Sequence, residues 1–313
     1  MKYMNICLSC DNNYAQYAGV VIASILLNSN NDYHLNFYIL DGNIEQENKN
    51  KIEKLKEIKD FNLKFVPIDE NLFDVYKKIG THSYISLSTY YRLKLPSLLP
   101  DVDKVLYLDC DVIVNSDLSK LFENDISDYY AAGVKDIAVN SSGFVPKLEK
   151  GNLYFNAGVL YFNLDKIRKD NIESEFEKYT IENVENIRVG DQEIINVVCQ
   201  GKIKELPSVW NVQSSNFVNR SDYTKNPFIV HYVGRNKPWK FGSINYWKHL
   251  YFNVLEKTPW AIPQEEKNKW TKENQKQSII NYLKYRPLFF LRPRFYKALI
   301  KTYLKSTLDF LLI

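Results

Sequence analysis

The first hundred residues alternate strand-like and helix-like segments, and this restricts the fold more than any other feature of the chain. Residues 4–9 read as a buried strand, 14–28 as a helix with an apolar face and 35–40 as a strand. Residues 44–58 follow as a helix and 63–68 as another strand. Strands separated by helices imply βαβ units and a sheet covered by helices. Further along, 88–95 reads as a helix closed by Pro96, 104–108 and 157–162 as apolar strands, and 191–199 as a helix. A strand at 228–233 and a helix at 246–255 complete the pattern, while 135–151 reads as irregular. Residues 259–270 hold Pro259, Pro263 and several charges and read as a linker. These boundaries predict a catalytic domain over 1–262, with the linker and a tail over 263–313.

A chain of 313 residues accommodates one large domain or two small ones, and 45% hydrophobic with 25% charged residues is the balance of a globular protein. The +4 formal charge is unevenly spread. Residues 278–313 carry seven Lys or Arg against the single acid Asp309, a net +6 that leaves −2 for the rest. Cys7, Cys10, Cys110 and Cys199 are too few and too scattered for a disulfide framework, and a reducing cytoplasm is expected. Cys7 lies inside the apolar run Ile6-Cys7-Leu8, so its C-x-x-C spacing with Cys10 is read as packing. The apolar run at 18–27 is about half the length of a membrane span and lacks the flanks of a secretion signal. A soluble or peripheral protein is expected.

The most informative local feature is Asp109-Cys110-Asp111 at the end of the apolar strand 104–108. Alternate strand residues face the same way, so Asp109 and Asp111 share a side. Two carboxylates held there repel unless a cation neutralises them, and a hard divalent ion bound through oxygens does so while keeping positions open for phosphate oxygens. A polar loop after a strand is the plainer alternative for an isolated D-x-D. A dehalogenase-type phosphatase would need a D-x-D-x-T near the first strand, but Ile113 occupies the fifth position. Neither a G-x-x-x-x-G-K-[ST] nor a G-x-G-x-x-G occurs.

His231 ends the strand-like run 228–230 and opens His231-Tyr232-Val233-Gly234-Arg235-Asn236-Lys237-Pro238-Trp239. Gly234 permits close backbone approach, and Lys237 offers a charge suited to a diphosphate. An imidazole added to two carboxylates moves the preference from Mg²⁺ towards Mn²⁺. The alternative is a structural histidine, and a separation of 120 residues from Asp111 leaves the choice open.

With these residues in view, the chain resembles the family 8 glycosyltransferases, especially the bacterial lipooligosaccharide galactosyltransferase branch. The resemblance covers about residues 4–250 and rests on six ordered blocks: Cys10-Asp11-Asn12-Asn13-Tyr14, Ser88-Thr89-Tyr90-Tyr91-Arg92-Leu93, Val105 through Asp111, Phe155-Asn156-Ala157-Gly158-Val159, Asp191-Gln192, and His231 through Gly234 with Lys237-Pro238-Trp239. It implies a GT-A fold, an α/β mixed sheet flanked by helices that binds UDP in its N-terminal half. It further implies that Asp109, Asp111 and His231 hold Mn²⁺, with Mg²⁺ as the alternative. Asp11, Asn13 and Tyr14 would hold uracil and ribose, Gly234 and Lys237 would face the phosphates, and Cys110 would be a further donor-binding residue. Arg92, Asn156, Asp191 and Gln192 would surround the donor sugar, with Asp136 the match to a further donor-site carboxylate. Outside the block pattern, Asn156 and Gly158 read as a turn and Arg92 as a helix-surface charge.

The family retains anomeric configuration, which ordinary retaining glycosidases achieve with a carboxylate nucleophile close to the sugar. Gln192, at the matching position, is a neutral amide and a poor nucleophile. The expected route is same-face attack, with departing UDP oxygens helping to deprotonate the acceptor; Asp191 as a covalent nucleophile is the alternative. The expected activity is transfer of galactose or glucose from a UDP-sugar to a cell-envelope glycan such as lipopolysaccharide or lipooligosaccharide. A protein- or self-glycosylating enzyme of the glycogenin kind and a non-catalytic UDP-sugar-binding protein are the alternatives.

From Pro293 the tail reads as one amphipathic helix, with Phe295, Tyr296, Leu299, Ile300, Tyr303 and Leu304 opposite Arg294, Lys297, Lys301 and Lys305. Basic residues opposite apolar ones suit an anionic membrane surface, so residues 278–313 are expected to hold the protein peripherally at the inner face of the cell membrane. Packing of the same face on the catalytic domain is the alternative. The charge lacks any recognised nucleic-acid motif, so no nucleic-acid partner is expected.

Overall fold

The computed structural model describes residues 2–30, 32–79, 86–142 (side chains to 139), 148–214, 226–235 and 237–263, and scattered positions between 266 and 284. Ten strands are described: β1 (Lys2–Asp11), β2 (Tyr33–Gly42), β3 (Asn62–Pro67), β4 (Lys104–Leu108), β5 (Val112–Val114), β6 (Ala131–Lys135), β7 (Phe155–Asn163), β8 (Ile203–Glu205), β9 (Val212–Gln213) and β10 (Ile229–His231). Seven form a sheet of order β3-β2-β1-β4-β7-β6-β8, and three form a smaller one of order β5-β10-β9. β3, β2, β1 and β4 run parallel, and β7 is antiparallel to both β4 and β6. The sheet is therefore mixed and flanked by helices, the GT-A arrangement.

Residues 6–10 of β1 are buried without interruption, because both faces of the sheet are covered. Ile6 and Leu8 enter one core together with the helix Ala15–Asn28, while Cys7 enters a second core with Leu40, Val105 and Tyr107. That helix is buried on nearly every side rather than along one stripe, since sheet strands, β5 and the helix Lys248–Leu255 surround it. Gly19 is required there: a Cβ would stand 2.3 Å from the ring of Trp260.

Two local expectations differ from the structure. The expected helix at 88–95 is 3₁₀ over Leu87–Lys94, and Pro96 lies near the start of the following short helix Leu95–Leu98 instead of closing the preceding one. Proline lacks an amide hydrogen that the first turn of a helix would not use, so it opens a helix as readily as it stops one. The expected irregular stretch contains the end of β6 and a short helix, Ile137–Ser142. Strands β5, β8 and β9, of two or three residues, are too short to give a period in the sequence.

Beyond Trp260, Asn274 accepts a hydrogen bond from the Gly242 amide, Ser278 Oγ donates to Ser243 O at 3.0 Å, and Asn281 Nδ2 donates to Gly242 O at 2.9 Å. The amphipathic stretch from Pro293 lies outside the described residues.

Candidate active site

The pair Asp109 and Asp111 sits where the chain leaves the large sheet for the small one. Asp109 N donates to Gly158 O at 2.9 Å, extending the β4–β7 ladder by one step, and after Asp111 the chain enters β5. β5 pairs antiparallel with β10 so that His231 stands opposite Val112, and Tyr232 N donates to Asp111 O at 2.8 Å. This pairing closes the 120-residue gap. One ligand atom from each of Asp109, Asp111 and His231 lies within 4.8 Å of the others. His231 Nε2 is 3.1 Å from Asp111 Oδ1 and 3.8 Å from Asp109 Oδ2. Cys110, between the carboxylates, points elsewhere: its thiol donates to Ser9 O at 3.3 Å.

Asp111 has a cationic partner before any ion is considered. Lys237 Nζ pairs with Asp111 Oδ2 and donates to Tyr232 O at 2.8 Å. Burial raises the Asp111 carboxyl, but Lys237 and His231 outweigh it and hold that group well below the ordinary carboxylate range. The loop carrying Lys237 is anchored by Trp239, whose ring stacks on Tyr17 with centroids 3.9 Å apart.

Arg92 is buried and spends its planar fork on four neighbours. Nη2 donates to Asp109 Oδ1 at 2.6 Å, Nη1 to Ala157 O at 2.7 Å and Nε to Thr89 O at 3.0 Å, while Tyr107 lies beneath the guanidinium at 4.2 Å. Nε is also 3.0 Å from Asp191 Oδ2, but its hydrogen is directed at Thr89, so that oxygen has an adjacent cation and no hydrogen bond. Burial pushes the Asp191 carboxyl up to about 6 against the opposing pull of Arg92.

Behind the carboxylates runs an amide network. Gln192 Oε1 accepts from Ala157 N at 3.0 Å and from Asn156 Nδ2 at 3.2 Å, and Gln192 Nε2 donates to Asp136 Oδ2 at 3.2 Å. Asn156 Nδ2 also donates to Asp136 Oδ2, at 3.1 Å. Arg92, Asp136, Asn156, Asp191 and Gln192 thus form one connected patch beside the Asp109–Asp111–His231 group.

In front of the carboxylates lies a cavity of about 280 Å³, lined among others by Tyr14, Cys110, Gly234, Lys237, Ser88 and Thr89. Asp11 and Asn13 do not line the cavity themselves but adjoin it: Asp11 Oδ1 accepts from the N–H of the lining residue Tyr14 at 3.0 Å, capping the 3₁₀ turn Asn12–Tyr14, and Asn13 is exposed. Asn211, which no motif marked, accepts at Oδ1 from His231 Nδ1, 3.2 Å away. Its only signal in the sequence is its place in an unremarkable run before a two-residue strand.

The residues fit a divalent cation. Asp111 Oδ1 is buried with no hydrogen-bond donor of its own. A Cβ on Gly158 would lie 2.2 Å from His231 Cε1 and 2.6 Å from Asp109 Oδ2, so the space between the ligand atoms exists only because residue 158 is glycine. Two carboxylates and an imidazole are a borderline-hard donor set of the kind that holds divalent cations.

The family model of glycosyl transferase family 8 matches residues 5–242. The chain is a family 8 glycosyltransferase. It is 28% identical over 275 residues to general stress protein A of Bacillus subtilis, covering 83% of this chain and 95% of that one. It is also 28% identical over 274 residues to a lipopolysaccharide 1,2-glucosyltransferase of Escherichia coli K12, covering 82% and 79%. Among solved structures, the galactosyltransferase LgtC in complex with donor and acceptor sugar analogs superimposes with a TM-score of 0.71 at 26% identity, covering 85% of this chain and all of LgtC. The matched region of the transferase contains every residue of the cavity and of the network behind it.

Proposed function

We propose that this transferase moves a hexose, galactose or glucose, from a UDP-sugar to a cell-envelope glycan, with Mn²⁺ and with retention of anomeric configuration. The observation carrying this reading is the Asp109–Asp111–His231 group, its ligand atoms within 4.8 Å, with Lys237 beside it and the cavity in front. Relatives that act on lipopolysaccharide support the acceptor class, and a relative solved with donor and acceptor sugar analogs supports the use of a sugar donor.

When bound, Mn²⁺ would neutralise the diphosphate and stabilise the charge that UDP gains on leaving. Asp109, Asp111 and His231 would hold it; Arg92 fixes the Asp109 carboxylate through Nη2, and Lys237 adds a positive charge at the nucleotide side of the site. No protein acid is then required at the leaving oxygen. Gln192 is locked at both ends of its amide, by Ala157 N and by Asp136, and carries no negative charge to attack C1 of the sugar. Asp191 is enclosed, with its side chain 6% exposed and Arg92 beside it, which disfavours it as a nucleophile. Same-face attack fits these constraints: the acceptor hydroxyl oxygen bonds to C1 as the C1–O bond to UDP breaks. The hydroxyl proton passes to a departing β-phosphate oxygen.

The basic, amphipathic tail favours a lipid-linked acceptor at an anionic membrane surface. Among the described residues, no helix is long and apolar enough to cross a membrane.

UDP release from a panel of UDP-sugars, with Mn²⁺ and then with EDTA, tests the reading. Mn²⁺-dependent release from UDP-galactose or UDP-glucose, raised by a lipopolysaccharide-core acceptor, is expected. Release unaffected by EDTA would overturn the metal assignment. Sugar accumulating on the enzyme's own tyrosines would move the acceptor to protein.

A further inference from the structure

Asn211 is 1% exposed and sits between the 3₁₀ turn Ser208–Trp210 and β9, with its side chain reaching two polar partners. Their donor and acceptor roles can be fixed from a backbone group outward. Gly158 N–H can only donate, and it donates to Asn156 Oδ1 at 3.1 Å, so the amide oxygen of Asn156 faces that way. Asn156 Nδ2 correspondingly faces the Asp136 carboxylate, which can only accept when ionised. Asn211 stands 2.9 Å from Asn156 Oδ1 and must therefore present Nδ2 to it. The other end of the Asn211 amide, Oδ1, is left facing His231 Nδ1 at 3.2 Å. A carbonyl oxygen accepts and does not donate, so Nδ1 carries the hydrogen. With a cation bound between them, which displaces any proton on Nε2, the imidazole is neutral and its lone pair is on Nε2, the nitrogen directed at Asp109 and Asp111.

We infer that Asn211 is a positioning residue that commits His231 to Nε2 ligation by accepting its Nδ1 hydrogen, with Gly158 and Asn156 setting the direction of the relay. The inference rests on the metal-dependent reading of the same site. It assigns Asn156 a second task besides bordering the donor sugar: its oxygen holds the Asn211 amide in the orientation that the imidazole requires. Outer partners of this kind hold a ring in place and raise its basicity towards a metal. A leucine at 211 would leave the Nδ1 hydrogen buried without an acceptor, favouring the wrong tautomer or a rotated ring. An aspartate would still accept that hydrogen, at the cost of the donor that Asn211 Nδ2 presents to Asn156 Oδ1.

The test is Mn²⁺ binding in the presence of UDP, followed by EPR, together with the imidazole-nitrogen coupling that pulsed EPR detects on the bound ion. For the full-length Asn211→Leu chain, Mn²⁺ affinity is expected to fall on the order of 10- to 100-fold, with the nitrogen coupling weakened or lost. For Asn211→Asp, the nitrogen coupling is expected to persist because the Nδ1 hydrogen keeps an acceptor, while affinity falls by less than in the leucine variant because the donor to Asn156 Oδ1 is lost. This variant carries the test should the leucine variant fail to fold. Asn211→Leu binding Mn²⁺ like the natural chain would overturn the inference. So would Asn211→Asp losing coupling in a folded protein, since a merely structural role predicts that result. If the natural chain bound no Mn²⁺ with UDP present, the metal-dependent reading would itself be wrong and the inference would fall with it. Natural-chain binding with unmoved variants sinks the inference alone.

Discussion

Gly158 and His231 approach so closely that a single methyl group on residue 158 would stand 2.2 Å from Cε1 of the imidazole. The same methyl would meet Asp109 Oδ2 at 2.6 Å. Two of three candidate metal ligands therefore depend on a position that itself offers no side chain. The glycine lies within β7, all of whose residues are buried, so the strand has little room to retreat.

Gly158→Ala should consequently fold and lose function. Overpacking of one methyl in a buried strand is expected to cost about 1–3 kcal/mol of stability. Displacing the ligands by an ångström or so should lower Mn²⁺-dependent turnover by at least about 100-fold. Steady-state kinetics beside a denaturant titration measures both quantities. Full turnover in the variant would mean that the Asp109–His231 spacing is not what the reaction needs.

Arg92→Lys should be damaging despite preserving the charge. One ammonium cannot reproduce the fork that reaches Asp109, Ala157 O and Thr89 O while lying over Tyr107. Leaving part of this buried ion network unpaired is expected to cost about 2–4 kcal/mol, seen as a lower urea midpoint. An unchanged midpoint would show that the fork adds nothing beyond its charge.

Asp191 predicts a pH dependence with a definite sign. Its folded carboxyl is raised from 3.8 to about 6, so between these values the folded state holds more protons than the unfolded chain. Its contribution is intact below 3.8 and is lost as pH rises to about 6, a cost on the order of 3 kcal/mol at neutral pH. Relative to the natural chain, Asp191→Asn should gain stability as pH is raised from 4 to 7, measured by urea unfolding in EDTA. A pH-independent difference would place the Asp191 carboxyl in its ordinary range. The same variant keeping most of its turnover would remove Asp191 as a nucleophile.

The tail prediction is independent of the site. A chain ending at residue 285 loses Arg286, Arg292, Arg294, Lys297, Lys301 and Lys305. It should no longer sediment with vesicles containing anionic lipid, since each basic residue near such a surface contributes roughly 1 kcal/mol. Equal sedimentation of both chains would assign the basic tail to another task.

How much of this was legible in the sequence depends on the range of the interaction concerned. The apolar run 104–108 leading into Asp109-Cys110-Asp111 is legible locally as a strand followed by a carboxylate pair, although the strand period does not reach the pair: β4 ends at Leu108, and Cys110 and Asp111 form the turn before β5. Also legible locally are β1, β2 and β3 with their intervening helices, where a period in the residues reports burial directly. Short strands gave no such period, and Pro96 was misleading because the same lost amide hydrogen suits a helix start as well as a stop.

By itself, then, the sequence determined the parallel half of the sheet, the carboxylate pair and, through its ordered blocks, the family. Only the tertiary structure decided that His231 joins that pair, through antiparallel pairing of β10 with β5. It alone turned the bare residue Gly158 into a spacing requirement and Asn211 into a partner of the imidazole. The physical reason is that strand and helix periods are imposed by neighbours along the chain. A hydrogen bond or steric contact between residues 73 positions apart, as for Gly158 and His231, leaves no pattern in the sequence until the backbone has closed the distance.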